Sequence, residues 1–265
     1  MKHLRTTIKD FRQVFDLSLT VRYIAEPLIS FDAQRDAAEV LKIMKKREFD
    51  VVGVREGGSV TGMVNREELE KGIIGDYKKQ INDDSYVEDW QPMLSVLEKL
   101  TKHTQVFVLA MGEVSGIVMR GDLQKAPVRM WFFGVLSLFE MQLLRIIHVT
   151  YPNEEWKKLI NKKRLAAAEI LLKDRKSRNE QIDLADCLQL SDKREIIISD
   201  VQLLAALGLE SKTIAEDLFI KLERLRNDLA HSQDFISGRW PELVELMKRG
   251  EQLLEACESF HFENS

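Results

Sequence analysis

Three side chains near the C-terminal end of this 265-residue chain, Arg226, Asn227 and His231, combine types that handle phosphates and protons. Arginine offers a planar charged fork that matches phosphate oxygens. Histidine titrates near neutral pH and can take or give a proton. An asparagine amide both donates and accepts, so it can orient its neighbours. Asn227 and His231 are four residues apart and share one face of a helix.

The helical pattern that carries them begins around Ser211. At 100° per residue, Leu218, Leu222, Leu225 and Leu229 fall within about 60° of each other and form the core stripe. Asn227 and His231 lie nearly opposite, on a face that also carries Ile220, with Phe219 and Ala230 beside it and Arg226 at its edge. Two readings follow. The face is a second packing surface with chemistry in it, or His231 is a solvated residue at a helix C-terminus, where a positive charge is favourable.

The elements that must position this helix are themselves helical. Pro127 is well placed to start a helix, and Val128–Val149 reads as one long helix closed by Pro152. Its run Met130–Phe139 is uncharged between Arg129 and Glu140. Ten residues are too few to span a bilayer, which needs about 20, so the run is expected to be a buried helix. Asn153 is expected to cap the next helix, with Trp156, Leu159, Ile160, Ala167, Ile170 and Leu171 inward. Its polar face gathers Lys157, Lys158, Lys162, Lys163, Arg164, Lys173, Arg175, Lys176 and Arg178, the dense basic cluster of the chain. That cluster is either a track for a phosphate backbone or a solvated face. Asp183–Ile198 and Val201–Leu207 are expected to be helical, with Gly208 as a stop and Ser211 as the cap of the motif helix. Trp240–Phe260 closes the chain as an amphipathic helix, with Leu243, Leu246, Met247, Leu253 and Leu254 apolar. Residues 126–265 are thus expected to form an all-α domain.

A helical bundle whose late helix carries Arg226-Asn227-Asp228-Leu229-Ala230-His231, an Arg and a His with four residues between them, resembles the HEPN superfamily. The resemblance implies a metal-independent endoribonuclease, active as a homodimer that brings two motif helices together over RNA. His231 would move protons as a ribose 2′-hydroxyl attacks the adjacent phosphate, Arg226 would stabilise the charge developing there, and Asn227 would orient both. Members of the superfamily that bind RNA or protein without cutting keep the enzyme assignment open.

The first half reads differently. Residues 1–15 look like a short amphipathic helix (Leu4, Ile8, Phe11, Phe15), followed by an extended piece over Val21–Ile29 broken at Pro27. Then comes a helix over Ala33–Arg47, a strand over Asp50–Val54, a turn at Glu56-Gly57-Gly58, a strand over Ser59–Val64 and a short helix over Arg66–Gly72. The order recurs with a helix at Met93–Lys102, strands at Gln105–Ala110 and Val114–Val118 around a Met111-Gly112-Glu113 turn, and a helix opening near Gly121. Thr61-Gly62-Met63-Val64-Asn65-Arg66-Glu67-Glu68-Leu69 aligns with Ser115-Gly116-Ile117-Val118-Met119-Arg120-Gly121-Asp122-Leu123. A period of about 50 residues signals tandem units.

These repeats resemble a pair of CBS domains, with repeats at about 16–75 and 85–125 in a domain of residues 1–125. The resemblance implies two βαββα-type units binding an adenine nucleotide (AMP, ADP, ATP or S-adenosylmethionine) between them. The family's Ser/Thr position is Asn65 in the first repeat and Met119 in the second, and its acid is Glu68 and Asp122, so neither site is complete. A carboxylate can accept both hydroxyls of a ribose diol. Arg120 is placed to meet phosphate, as is Arg66.

Net charge is −4, which argues against a broad nucleic-acid-coating surface. Cys187 and Cys257 form no motif, and no metal-ligand cluster is visible. The whole is expected to be an α+β CBS pair followed by an all-α HEPN-like bundle. It is expected to be cytoplasmic and homodimeric, with no required cofactor and no DNA or membrane partner. In this reading the nucleotide-binding pair controls a ribonuclease. The alternative is a non-catalytic scaffold in which both halves serve ligand or partner binding only.

Overall fold

The computed structural model describes residues 10, 13–14, 17–230 and 240–260. The expected N-terminal helix falls mostly outside them, although residues 10, 13–14 and 17–18 are helical. The chain divides into an α/β unit ending at Val128 and a helical unit beginning at Arg129.

The α/β unit contains the repeat. Its strands are β1 (Glu26–Pro27), β2 (Ser30–Asp32), β3 (Val51–Glu56), β4 (Ser59–Asn65), β5 (Tyr86–Glu88), β6 (Gln105–Ala110) and β7 (Glu113–Met119). Helix α1 (Ala37–Arg47) sits between β2 and β3, and α2 (Met93–Lys102) between β5 and β6. In the first repeat β2 runs parallel to β3, and β3 antiparallel to β4. In the second, β5 runs parallel to β6, and β6 antiparallel to β7. The two hairpins share one register: Val52 faces Val64 as Val106 faces Val118. Both slip at equivalent points, between Val54 and Arg55 and between Val108 and Leu109.

The same valines form the cores. Val52, Val54, Val64 and Leu69 are buried in the first repeat, and Val106, Val108, Val118 and Leu123 in the second. Asp36 caps α1 by accepting from the Glu39 amide at 2.9 Å. Each hairpin closes through two residues at positive φ, as a two-residue turn with the twist of the strands requires. In the first these are Gly57 and Gly58, in the second Met111 and Gly112. The short first strands, β2 and β5, are additions to the sequence reading. The helix expected over Arg66–Gly72 is only a single 3-10 turn, Arg66–Glu68.

The helical unit begins within α3 (Ala126–Thr150) and continues with α4 (Lys162–Ser177), α5 (Leu190–Ser199), α6 (Val201–Ala206), α7 (Lys212–Ala230) and α8 (Trp240–Ser259). Helix α3 buries Trp131, Phe132, Val135, Leu136, Leu138 and Phe139, as its uncharged run predicts. Phe139 packs on Phe219 of α7 with ring centroids 5.5 Å apart. The whole helix is 25 residues long, with a mean hydropathy of 1.5 over its most apolar window, so length does not exclude a membrane span as the ten-residue run suggested. Half of that window is buried inside the unit.

The helical unit departs from three expectations. Asn153 caps no α-helix. A 3-10 turn, Glu155–Lys158, follows it, and α4 is instead capped by Asn161, which accepts from the Arg164 amide at 2.9 Å. Of the residues expected inward, Trp156 is buried, but Ile170 is 72% and Leu171 41% exposed, and Ala167 is exposed. Periodicity gives α4 an apolar face; among the described residues no element covers all of it. The helix expected over Asp183–Ile198 is a 3-10 turn, Ala185–Cys187, followed by α5.

The bundle is tied together by three consecutive residues of α5. Asp192 takes two bonds from Arg164 of α4, at 2.8 and 2.9 Å. Lys193 pairs with Glu140 of α3 at 3.1 Å, and Arg194 with Glu223 of α7 at 3.1 Å. Asp192 and Lys193 are buried, so these charges depend on their partners.

Candidate functional site

Ser211 caps α7, its hydroxyl accepting from the Ile214 amide at 3.3 Å. The leucine stripe is where the spacing placed it: Leu218, Leu222, Leu225 and Leu229 are all buried. Phe219 is buried as well, which narrows the second face to Ile220, 46% exposed, and the exposed Asn227. Arg226 is half-buried at the boundary of the two faces. Its guanidinium donates to the Asn227 side-chain oxygen at 3.1 Å. Its other arm lies 3.8 Å from the Glu140 carboxylate. His231 lies outside the described residues, as does the 231–239 segment.

Glu140 therefore stands between two cations, Lys193 at 3.1 Å and Arg226 at 3.8 Å. The order Lys193–Glu140–Arg226–Asn227 leads from a buried ammonium on α5, across α3, to an exposed amide on α7. Chemically, this presents a charged fork and an amide with their orientation restrained from behind. Sequence reasoning used Glu140 only as the edge of an apolar run. Its partner is 86 positions away, and no local signal marks the pair. An open groove of about 340 Å³ between α7 and α8 is lined by Leu218, Lys221, Arg224, Asp228, Glu242 and Leu246, among others, and by neither Arg226 nor Asn227.

The repeat-borne residues form two further sites, one at the end of each hairpin. Asn65 ends β4 and Glu68 closes the 3-10 turn after it. Met119 ends β7, and Arg120 and Asp122 lie in the 3-10 turn Arg120–Gln124. In each repeat a second segment crosses the open edge of the hairpin. Lys79 pairs with Met63 of β4, and Glu26 of β1 with Ile117 of β7. The repeat glycines are required by this crossing. A Cβ on Gly62 would stand 2.6 Å from the Lys79 carbonyl oxygen, and one on Gly116 3.2 Å from that of Glu26.

The crossing segments bring charge to the two acids. Lys79 forms an ion pair with Glu68. That bond, opposed by slight burial and aided by Asn65, holds the Glu68 carboxyl below its ordinary pKa. In the second repeat the crossing residue is itself an acid, Glu26, and Lys125 bridges it to Asp122, lying 3.0 Å from the Asp122 carboxylate. Burial works against the Lys125 ammonium, but Glu26 and Asp122 outweigh it and raise its pKa. The other Asp122 oxygen accepts from the Met119 amide at 2.7 Å. Arg120 donates to the Leu100 carbonyl at 3.2 Å and Arg66 pairs with Asp50 at 2.7 Å, so both point to local partners. Lys79 and Lys125 escaped the sequence reading because they lie outside the aligned nonapeptides. Among the described residues no three His, Cys, Asp or Glu side chains gather in a way that would hold a metal ion.

No family model and no curated protein matches this chain. Solved structures similar to its N-terminal part are CBS-domain proteins. One is CBSX2 in complex with AMP, 18% identical over 42% of this chain and 97% of that one, with a TM-score of 0.37. Another is the CBS domain of a bacterial CNNM/CorC family Mg2+ transporter in complex with ATP, 16% identical over 42% of this chain and 88% of that one, with a TM-score of 0.36. A third is an uncharacterised conserved protein from Pyrococcus horikoshii, 16% identical over 41% and 91% of the two chains, with a TM-score of 0.36.

Proposed function

We propose that this chain is a regulatory ribonuclease. Its α/β unit binds an adenine nucleotide and its helical unit, as a homodimer, cleaves RNA without a metal ion. The observation that carries the catalytic half is the Lys193–Glu140–Arg226–Asn227 order, which holds an arginine and an amide beside the buried leucine stripe of α7. In the reaction the ribose 2′-oxygen attacks phosphorus, a 2′-O–P bond forms and the P–O5′ bond breaks. One His231 takes the 2′-hydroxyl proton and a protonated imidazole returns one to the leaving 5′-oxygen, which gives a 2′,3′-cyclic phosphate and a 5′-hydroxyl. Arg226 faces the non-bridging oxygens as charge builds on them, with Asn227 orienting the group.

The nucleotide half rests on Glu68 and Asp122, each a carboxylate at the end of a hairpin and each engaged by a lysine. A ribose diol would take over carboxylate oxygens now held by Lys79 or Lys125, and the freed ammonium would be available to a phosphate. Asn65, Met119 and Arg120 complete the lining in this reading.

The test is direct. Purified protein is incubated with mixed RNA in chelator, with and without AMP, ADP, ATP or S-adenosylmethionine, beside Arg226→Ala and His231→Ala. Cleavage by wild type that both variants lose by 100-fold or more supports the assignment (about 10²–10⁴-fold is usual for a general acid or base). Equal cleavage by the variants, or none by wild type in any nucleotide state, refutes it and favours the scaffold reading, in which Glu140 merely neutralises Arg226. Calorimetry with the same ligands, on wild type and Asp122→Asn, tests the nucleotide half separately.

A further inference from the structure

Helix α4 is an anomaly within its own unit. Ala168 is its single buried residue, while 16 residues of helix stand largely in solvent. Residues 155–180 carry nine basic and four acidic side chains in a chain whose net charge is −4. Four of the bases are consumed locally: Lys157 by Glu154, Arg164 by Asp192, Arg175 by Glu180 and Arg178 by Asp174 and Glu180. Lys162, Lys163, Lys173 and Lys176 are exposed and have no acidic partner among the described residues. Lys162, Lys173 and Lys176 fall within about 60° of each other on the helix and extend along about 21 Å of its axis.

The arginine pairs show which side of α4 is anchored. Asp192 fixes the first turn of α4 to α5, and the next-but-one residue of α5, Arg194, bonds Glu223 of α7. Glu223 lies one helical turn before Asn227. Arg164 lies about 200° around α4 from Lys162, so the lysine ridge stands on the side of α4 turned away from α5 and is free to meet a ligand in solvent.

We propose that the α4 lysine ridge is a binding rail for the phosphate backbone of single-stranded RNA. This rests on the ribonuclease reading for its biological purpose, but not for its test. Lysines act on phosphate as point charges without demanding a fixed geometry, which suits a contact that holds RNA without reading its sequence. An anionic membrane fits less well. Ile170 and Leu171 are the only large apolar residues exposed on α4 and point about 100° apart, which gives no continuous face to insert.

The experiment measures binding, not cleavage. A labelled, unstructured RNA of about 20 nucleotides, 2′-O-methylated throughout so that it has no attacking hydroxyl, is titrated by anisotropy at several salt concentrations. The proteins are wild type, Lys162→Gln/Lys163→Gln/Lys173→Gln/Lys176→Gln, and a control, Lys42→Gln/Lys45→Gln/Lys46→Gln, which removes exposed lysines of α1. Vesicles rich in phosphatidylserine form a parallel arm. Loss of four phosphate contacts predicts at least tenfold weaker binding near 100 mM salt and a log–log salt slope shallower by about 3, with the control unchanged. RNA affinity and slope unaltered in the quadruple variant, no RNA binding by wild type, or lysine-dependent binding to vesicles but not to RNA would each overturn the proposal. Lysine-dependent binding by a protein that does not cut unmodified RNA would uphold the rail and refute the nuclease. Cleavage with lysine-independent binding would do the reverse.

Discussion

The two units use charge in opposite ways. In the α/β unit the ion pairs lie at the surface: Lys79 with Glu68, Lys78 with Glu56 and Arg22 with Asp89 are all substantially exposed on at least one side. Apolar valines hold that fold together, and charge is left to decorate the hairpin ends. In the helical unit Asp192 and Lys193 are buried, and the pairs they make are part of the packing. A surface pair contributes about 0–1 kcal/mol. Removing one partner of a buried pair leaves a charge without compensation and costs far more. Substitutions of the exposed Lys79–Glu68 pair should therefore disturb stability little, whereas those near Arg226 disturb it more unless shape and charge are respected.

The contrast breaks first at Asp192. Asp192→Ala should cost about 2–3 kcal/mol, less than the 3–5 of a fully buried pair because Arg164 keeps some access to water. Urea unfolding in a Trp90→Phe background checks this, because Trp131, Trp156 and Trp240 then report on the helical unit alone. A loss under about 0.5 kcal/mol, the usual scatter of surface changes, would show that the stitch is decorative.

Within the α/β unit the crossing segments set the next effect. Gly62→Ala should cost about 2–3 kcal/mol, since its Cβ meets backbone, and Gly116→Ala about 1 kcal/mol. Hydrogen exchange of the β3–β4 amides against those of β6–β7 separates the two. Smaller still, Met111→Asn should stabilise the second hairpin by roughly 0.5–1 kcal/mol, because Met111 sits at φ 53° where Asn is better tolerated. Its thermal midpoint should rise, while the same exchange at Gly57 should not raise it.

The smallest effect tests the surface pairs. Lys79→Met should leave stability almost unchanged but let the Glu68 pKa rise towards its ordinary value. A carboxyl held low in the folded state contributes stability above its unfolded pKa and loses it as pH falls through the folded one. The wild-type pair is thus weakened only in acid. Carboxyl NMR titration of Glu68 in both proteins measures the shift, and an identical titration would remove Lys79 from the site.

Much of the architecture was readable from local signals. The nonapeptides around Gly62 and Gly116 announce the repeat, and Leu218, Leu222, Leu225 and Leu229 announce the buried face of α7. The misses share a cause. Strands β2 and β5 are three residues long and exist only through pairing with β3 and β6, over 20 residues away in sequence. Glu140–Arg226, Lys79–Glu68 and Lys125–Glu26 join distant positions that carry no local mark. Helix α4 shows the opposite failure: its apolar residues are real, but a helical period cannot say that a neighbour exists to cover them.

The central claim is that the two units answer to each other, and one measurement addresses it. RNA cleavage is followed with and without saturating adenine nucleotide, in wild type and in Asp122→Asn. The account predicts that nucleotide changes the wild-type rate by about fivefold or more in one direction, and that Asp122→Asn cleaves at the nucleotide-free rate throughout. An unchanged wild-type rate, or a full response in Asp122→Asn, would contradict it.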